Sequence, residues 1–161
     1  GDDVGGICDR YEQFIQEKST PIGETNSSID SDGTITVSDI SYDKVVNDNQ
    51  GFSFNFCFQS DRDIRKPIFV FQINDVRGES MISRYSQLDE FNQPIKKGNN
   101  TLNLNFESIP LKQGTYYLIL VIADEDVNNQ LFHVQNKYSF KILKDKSEFG
   151  VLDIKPNWYL D

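Results

Sequence analysis

The sequence predicts an all-β fold, an antiparallel β-sandwich with a short N-terminal helix, and three observations carry that prediction. From Gly33 onward apolar residues recur with a period of two, the spacing that lines one face of a strand. Turn residues punctuate these runs at the intervals typical of sandwiches and barrels. No segment of helical period separates them, which argues against a parallel α/β sheet.

Before the first strand, Ile7, Tyr11, Phe14 and Ile15 fall at helical spacing within residues 7–16. Isolated helices of that length are marginal, so this one is expected to pack on a partner. Residues 19–32 turn to Ser, Thr, Asn, Gly, Pro and Asp and read as linker or ordered coil. The expected organisation is therefore a helix and linker over 1–32 and a sandwich domain over 33–161.

Residues 34–38 open the sandwich, with Ile35 and Val37 on one face. Across 51–60, Phe52, Phe54, Phe56 and Phe58 point one way while Ser53, Asn55, Cys57 and Gln59 point the other. Pro67 opens a strand with Phe69, Phe71 and Ile73 opposite Ile68, Val70 and Gln72. Residues 74–79 form a hairpin turn into a strand over 81–85. Leu102, Leu104 and Phe106 alternate with Asn103 and Asn105, the mark of a half-buried strand. Residues 116–123 are apolar on both faces, as a central strand requires. Tyr138, Phe140 and Ile142 alternate with Lys137, Ser139 and Lys141. The result is about eight strands, with Phe54, Phe56, Phe69, Phe71, Leu104, Ile119 and Phe140 assigned to one core.

The length of 161 residues suits such a domain, and 12 Phe and 7 Tyr supply a substantial core. A net charge of −9 suits neither nucleic acid, whose binding rests on Lys and Arg displacing counterions, nor anionic lipid. Two cysteines, Cys8 and Cys57, are too few for a disulfide framework and read as reduced thiols in a reducing compartment. The chain shows no secretory signal at Gly1 and no apolar run approaching the ~18 residues that span a bilayer. Beginning without Met close to a helix, it reads as part of a longer protein.

Chemistry is sparse. A single histidine, His133, placed in an edge or loop segment, barely supports a Ser-His-Asp or Cys-His arrangement. There is no His-Glu-x-x-His pattern, no paired Cys motif and no Gly-rich phosphate loop, so neither a zinc site nor an ATPase is expected. Asp61, Asp63 and the run 124–126 read as solvated turns, and the start of a calcium loop at Asp30, Asp32 and Gly33 lacks the required Glu. No metal, cofactor or catalytic residue is assigned.

What remains is the outward face. Asn55, Gln59, Gln72, Asn103 and Asn105 are uncharged amides opposite the Phe-rich side of their strands. An amide donates and accepts, as a sugar hydroxyl does, so such a face pairs hydroxyls without importing charge. Tyr85 and Tyr116 are candidate stacking surfaces. Arg84 is a candidate for an anionic substituent, which guanidinium meets bidentately.

Three pieces in order, residues 111–118 with the turn glycine Gly114, the strand 137–142, and Gly150, Val151 and Leu152 followed by Trp158, give the chain its resemblance. With the opening 33–40 and the stretch 66–75 before Gly78, it resembles the C-terminal carbohydrate-binding domain of Wzt-type proteins, the ATP-binding subunits of O-antigen polysaccharide ABC transporters. Residues 9–14 are similar to the short helix after the ATPase domain in that family. The resemblance implies an immunoglobulin-like sandwich, non-catalytic binding of the modified end of an O-antigen polysaccharide, and selection of that chain for export. It also implies a homodimer formed by exchanging C-terminal strands, here 149–154, with Gly150 and residues 144–147 as hinge. An upstream ATPase domain would connect the chain to a transmembrane permease, at the cytoplasmic face of the inner membrane. Two rivals are a protein-interaction or structural sandwich without a sugar ligand, and a glycoside-active enzyme with an unrecognised carboxylate pair.

Overall fold

The computed structural model describes residues 27–48 and 50–144. The helix read over 7–16 and the closing segment 149–154 with Trp158 lie outside these residues. Nine strands are present among the described residues: β1 (Ser28–Ser31), β2 (Ile35–Tyr42), β3 (Val45–Asn47), β4 (Phe52–Ser60), β5 (Pro67–Asn74), β6 (Ser80–Tyr85), β7 (Gly98–Phe106), β8 (Gly114–Asp124) and β9 (Gln130–Leu143). No described residue is helical, so no helix among them is long and apolar enough to cross a membrane.

The strands form two layers. One is a three-stranded sheet in the order β2-β4-β7; the other runs β1-β9-β8-β5-β6, with β3 added beside β9. All pairs are antiparallel except β3 with β9. The predicted all-β sandwich is what forms, with β8 central as its two apolar faces require.

β4 shows how the sequence builds the core. Its alternation buries Phe52, Phe54, Phe56 and Phe58 almost completely. Their rings cross to the other sheet, Phe52 against Phe140 at 4.7 Å between centroids, Phe54 against Phe71 at 5.2 Å and Phe56 against Phe132 at 5.3 Å. On β2 a bulge between Val37 and Asp39 shifts the register, so Ile35 and Val37 before it and Ile40 and Tyr42 after it all meet the core. Gly51 precedes β4 where a Cβ would lie 2.5 Å from the carbonyl oxygen of Phe106, so the close approach of these two chain segments needs glycine.

Three expectations are corrected. Ile119 does not share the inter-sheet core: it lies with Ile68, Val70, Val121 and Ala123 on the opposite side of the larger sheet. Period two sends Leu118 and Leu120 inward and Ile119 outward, a distinction invisible in a strand apolar on both faces. Ser28–Ser31, within the stretch read as coil, pairs with β9. His133 is not in a loop or edge segment; it lies in β9, paired with Asp30 on one side and Val121 on the other. β9 escapes simple alternation because Asn136, at a φ of 54°, interrupts it where the register with β8 shifts.

Phe56 is fully buried and touches Phe58 and Phe132. Replacing it with Ala is expected to cost about 3–5 kcal/mol, the usual range for a buried Phe. Chemical denaturation that finds a loss below about 1 kcal/mol would contradict its place in the inter-sheet core.

Candidate functional site

The two-layer arrangement sorts the outward amides onto opposite sides of the molecule. Asn55, Gln59, Asn103 and Asn105 lie on the outer face of the three-stranded sheet. Asn55 pairs directly with Asn103, Ser53 with Asn105 and Gln59 with Asn99. On the other flank Ser41 faces Asn55 and Thr36 faces Gln59. This side is a mostly uncharged grid of hydroxyl and amide groups. Gln72 is absent from it.

Gln72 and Tyr85 belong to the outer face of the larger sheet, where register builds two rungs across five strands. One runs Tyr85, Val70, Val121, His133 and Asp30; the next runs Ser83, Gln72, Ile119, Gln135 and Ser28. An open groove of about 460 Å³ follows these rungs. Val70, Ile119 and Val121 make its floor, and Gln72, Asn74 and Tyr85 line it from β5 and β6. Gln130, His133 and Gln135 line it from β9, with Val127 and Asn128 from the loop before that strand.

The floor reflects the composition of β5 and β8. Both strands lie inside the sheet and are apolar on both faces, so their second apolar rows form a separate cluster outside the inter-sheet core. Outer faces of antiparallel sheets are ordinarily polar. An aliphatic strip in a groove is the pattern of small-molecule sites, which combine apolar walls with a few placed polar groups.

Those polar groups are specific. Gln72 Nε2 donates to Ser83 Oγ at 3.1 Å, which fixes the amide on the groove wall. Asn74 is buried; its Nδ2 donates a long bond of 3.4 Å to the Gly78 carbonyl, and its Oδ1 has no hydrogen-bond partner among the described residues. Among the described residues, no Lys, Arg, Asp or Glu lines the groove.

Two candidate residues sit elsewhere. Tyr116 is not an outward stacking surface but part of the inter-sheet core. Its ring lies 5.9 Å from that of Phe140, and its hydroxyl donates to the Lys112 carbonyl at 2.9 Å. Burial, with a smaller contribution from the negative charge of Asp75, pushes its pKa up to about 12. The alternation of a doubly apolar strand hid this too: Tyr116 shares the inward parity of Leu118 and Leu120. Arg84 is registered with Phe71, so it lies on the opposite side of β6 from Tyr85, at the sheet margin. There it forms an ion pair with Asp89.

The sequence reading leaves Gln135, Gln130 and Asn74 out of the candidate site and sets His133 aside as an edge or loop residue. The signal for His133 and Gln135 was present, because Phe132 and Val134 point inward between them. Asn74 was assigned to the hairpin turn, one residue beyond its place at the end of β5. At one end of the sandwich Asp63, Asp124 and Glu125 line a separate polar cleft of about 390 Å³. No group of three or more His, Cys, Asp or Glu among the described residues is placed to hold a metal ion.

A family model described as the Wzt C-terminal domain matches residues 14–154. A crystal structure of the C-terminal domain of Wzt superposes with a TM-score of 0.75 at 14% identity, covering 91% of this chain and 99% of that one. A Niemann-Pick type C2 protein from Japanese carpenter ant gives a TM-score of 0.48 at 12% identity over 71% of this chain and 98% of its own. A CARDB domain from Pyrococcus furiosus gives 0.43 at 13% identity, over 73% and 89%. These last two similarities are too low to carry an argument. No curated protein matches the sequence.

The elevated pKa of Tyr116 has a signed consequence. Below pH 10 the phenol is neutral in the folded and unfolded chain alike, and stability does not depend on its titration. Between pH 10 and about 12 the unfolded chain releases the proton first, so stability falls as pH rises. Tyr116→Phe removes that contribution. Denaturation midpoints are expected to drop less steeply across this window in the variant than in the parent, and parallel curves would contradict the buried placement.

Proposed function

The chain belongs to the Wzt C-terminal domain family, and from that membership we propose that it is a non-catalytic module that binds an O-antigen polysaccharide. In this reading it engages the modified end of the finished glycan and so selects the chain for export by an ABC transporter. The groove over Val70, Ile119 and Val121 is the binding surface. The observation that carries this assignment is the concave combination of an aliphatic floor with neutral amides, Gln72 above all. Amides there can exchange hydrogen bonds with hydroxyls, and the apolar strip accepts the C–H face of a sugar ring. Tyr85 adds an amphipathic side chain at one end of a rung.

The same reading places the partners. An ATPase domain upstream in the full protein would link this module to the transmembrane permease, at the cytoplasmic face of the inner membrane. Two copies would associate by exchanging strands over 149–154, since exchange of an identical element is a low-cost route to a dimer.

A second site reading is supported by the direct pairing of Asn55 with Asn103 on the three-stranded sheet, beside Gln59 and Asn105. That surface offers hydroxyl partners but lacks the groove's apolar floor. The two readings separate by titration of the cognate O-polysaccharide against the parent, Gln72→Ala and Asn103→Ala. Loss of one hydrogen bond worth about 1 kcal/mol weakens binding about fivefold. That loss is expected for Gln72→Ala, with Asn103→Ala unchanged. The reverse pattern would move the site to the three-stranded sheet, and no binding by the parent protein would overturn the polysaccharide reading.

A further inference from the structure

We infer that the groove of the larger sheet is built to receive a sugar carrying an acetamido group. The inference rests on the polysaccharide reading and specifies which sugar chemistry that groove takes. Two features of the groove favour a substituent that plain hexoses lack. Its floor is aliphatic, formed by Val70, Ile119 and Val121, each at least nine-tenths buried. An aliphatic floor accepts the C–H face of any sugar ring, gains further from a methyl group, and gains little from hydroxyls, which lose water there without finding partners. Beside it Asn74, itself over nine-tenths buried, carries a side-chain carbonyl oxygen with no hydrogen-bond partner among the described residues. Buried acceptors are ordinarily satisfied, and a solitary one at a ligand groove identifies a place where a donor belongs.

An acetamido group meets both demands with adjacent atoms: its methyl rests on the floor while its amide N–H is directed to Asn74 Oδ1. Asn74 Oδ1 is itself shielded from solvent, so the side chain must turn to meet the N–H, giving up its long 3.4 Å bond to Gly78. The acetyl oxygen then accepts from a neighbouring amide such as Gln72. Charge agrees as well. Among the described residues no Lys, Arg, Asp or Glu is on the lining, so apart from His133 the groove offers a phosphate or uronate no cationic side chain, whereas a neutral acetamide needs none.

The test uses the chain in solution and six monosaccharides in matched pairs that differ only in the acetamido group. These are N-acetylglucosamine, N-acetylgalactosamine and N-acetylmannosamine, each against its parent hexose, with dissociation constants from amide chemical-shift titration and saturation transfer read at the acetyl methyl. At least one acetamido sugar is expected to bind fivefold or more tightly than its hexose, with transfer concentrated on the methyl. Val121→Thr puts a hydroxyl on the buried floor and is expected to weaken that sugar severalfold more than its hexose, with some loss of thermal stability in the same variant. Hexoses binding as tightly as their acetamido counterparts would overturn the inference and leave the polysaccharide reading standing. So would binding of the O-polysaccharide with none of the six sugars bound. Failure of the polysaccharide as well would remove both.

Discussion

The aromatic ladder of β4 is the constraint on which the rest of the structure depends. Phe52, Phe54, Phe56 and Phe58 fill the space between the sheets, and three of them meet Phe140, Phe71 and Phe132 of the opposite layer. Deleting such a ring costs several kcal/mol, a large part of the net stability of a domain this size. The ladder therefore fixes which face of β4 is buried, and period two then fixes everything else on that strand. A one-residue slip would exchange Phe for Ser, Asn, Cys and Gln across the whole interface. The outward amides of β4 and β7 are the necessary complement of this packing, whatever else they do.

The larger sheet obeys a different rule. β5 and β8 are flanked on both sides, and each is apolar on both faces. Their inner rows complete the core, leaving their outer rows as a strip that the inter-sheet packing does not use. Polar side chains border that strip from the second half of β5 (Gln72 and Asn74), from β6 (Tyr85) and from β9 (Gln130, His133 and Gln135). A groove with an apolar floor and amide walls is thus the product of two strand compositions laid side by side. This asymmetry between the faces is why the binding site is assigned to the larger sheet.

Where the sequence alternates cleanly, the structure was legible in it. The facial assignment of β4 and β7 follows from Phe and Leu against Asn, Ser and Gln, and the turn around Gly78 follows from its residues. Sheet membership was not legible, because period two says which way a side chain points along its own strand and nothing about which layer the strand joins. Gln72 was therefore grouped with Asn55 and Asn103, although the sandwich separates them. Tyr116 and Ile119 were misplaced for a related reason: in a strand apolar on both faces, neither parity is marked. His133 reads as an edge or loop residue and Gln135 goes unmarked because the irregularity at Asn136 splits β9, and the acidic loop before it disguises the strand's start. The family, by contrast, was legible in the order of the segments from Gly33 to Trp158, which no single residue carries.

The most direct test of this account is a map of the polysaccharide's footprint by amide chemical-shift perturbation. Cognate O-polysaccharide added to the isotopically labelled chain is predicted to shift residues on the outer rungs of β5, β8 and β9, namely Val70, Gln72, Ile119, Val121, His133 and Gln135. Asn55, Gln59, Asn103 and Asn105 are predicted to stay unmoved. Perturbations confined to those four amides, with the larger sheet silent, would contradict the assignment of the glycan to the groove.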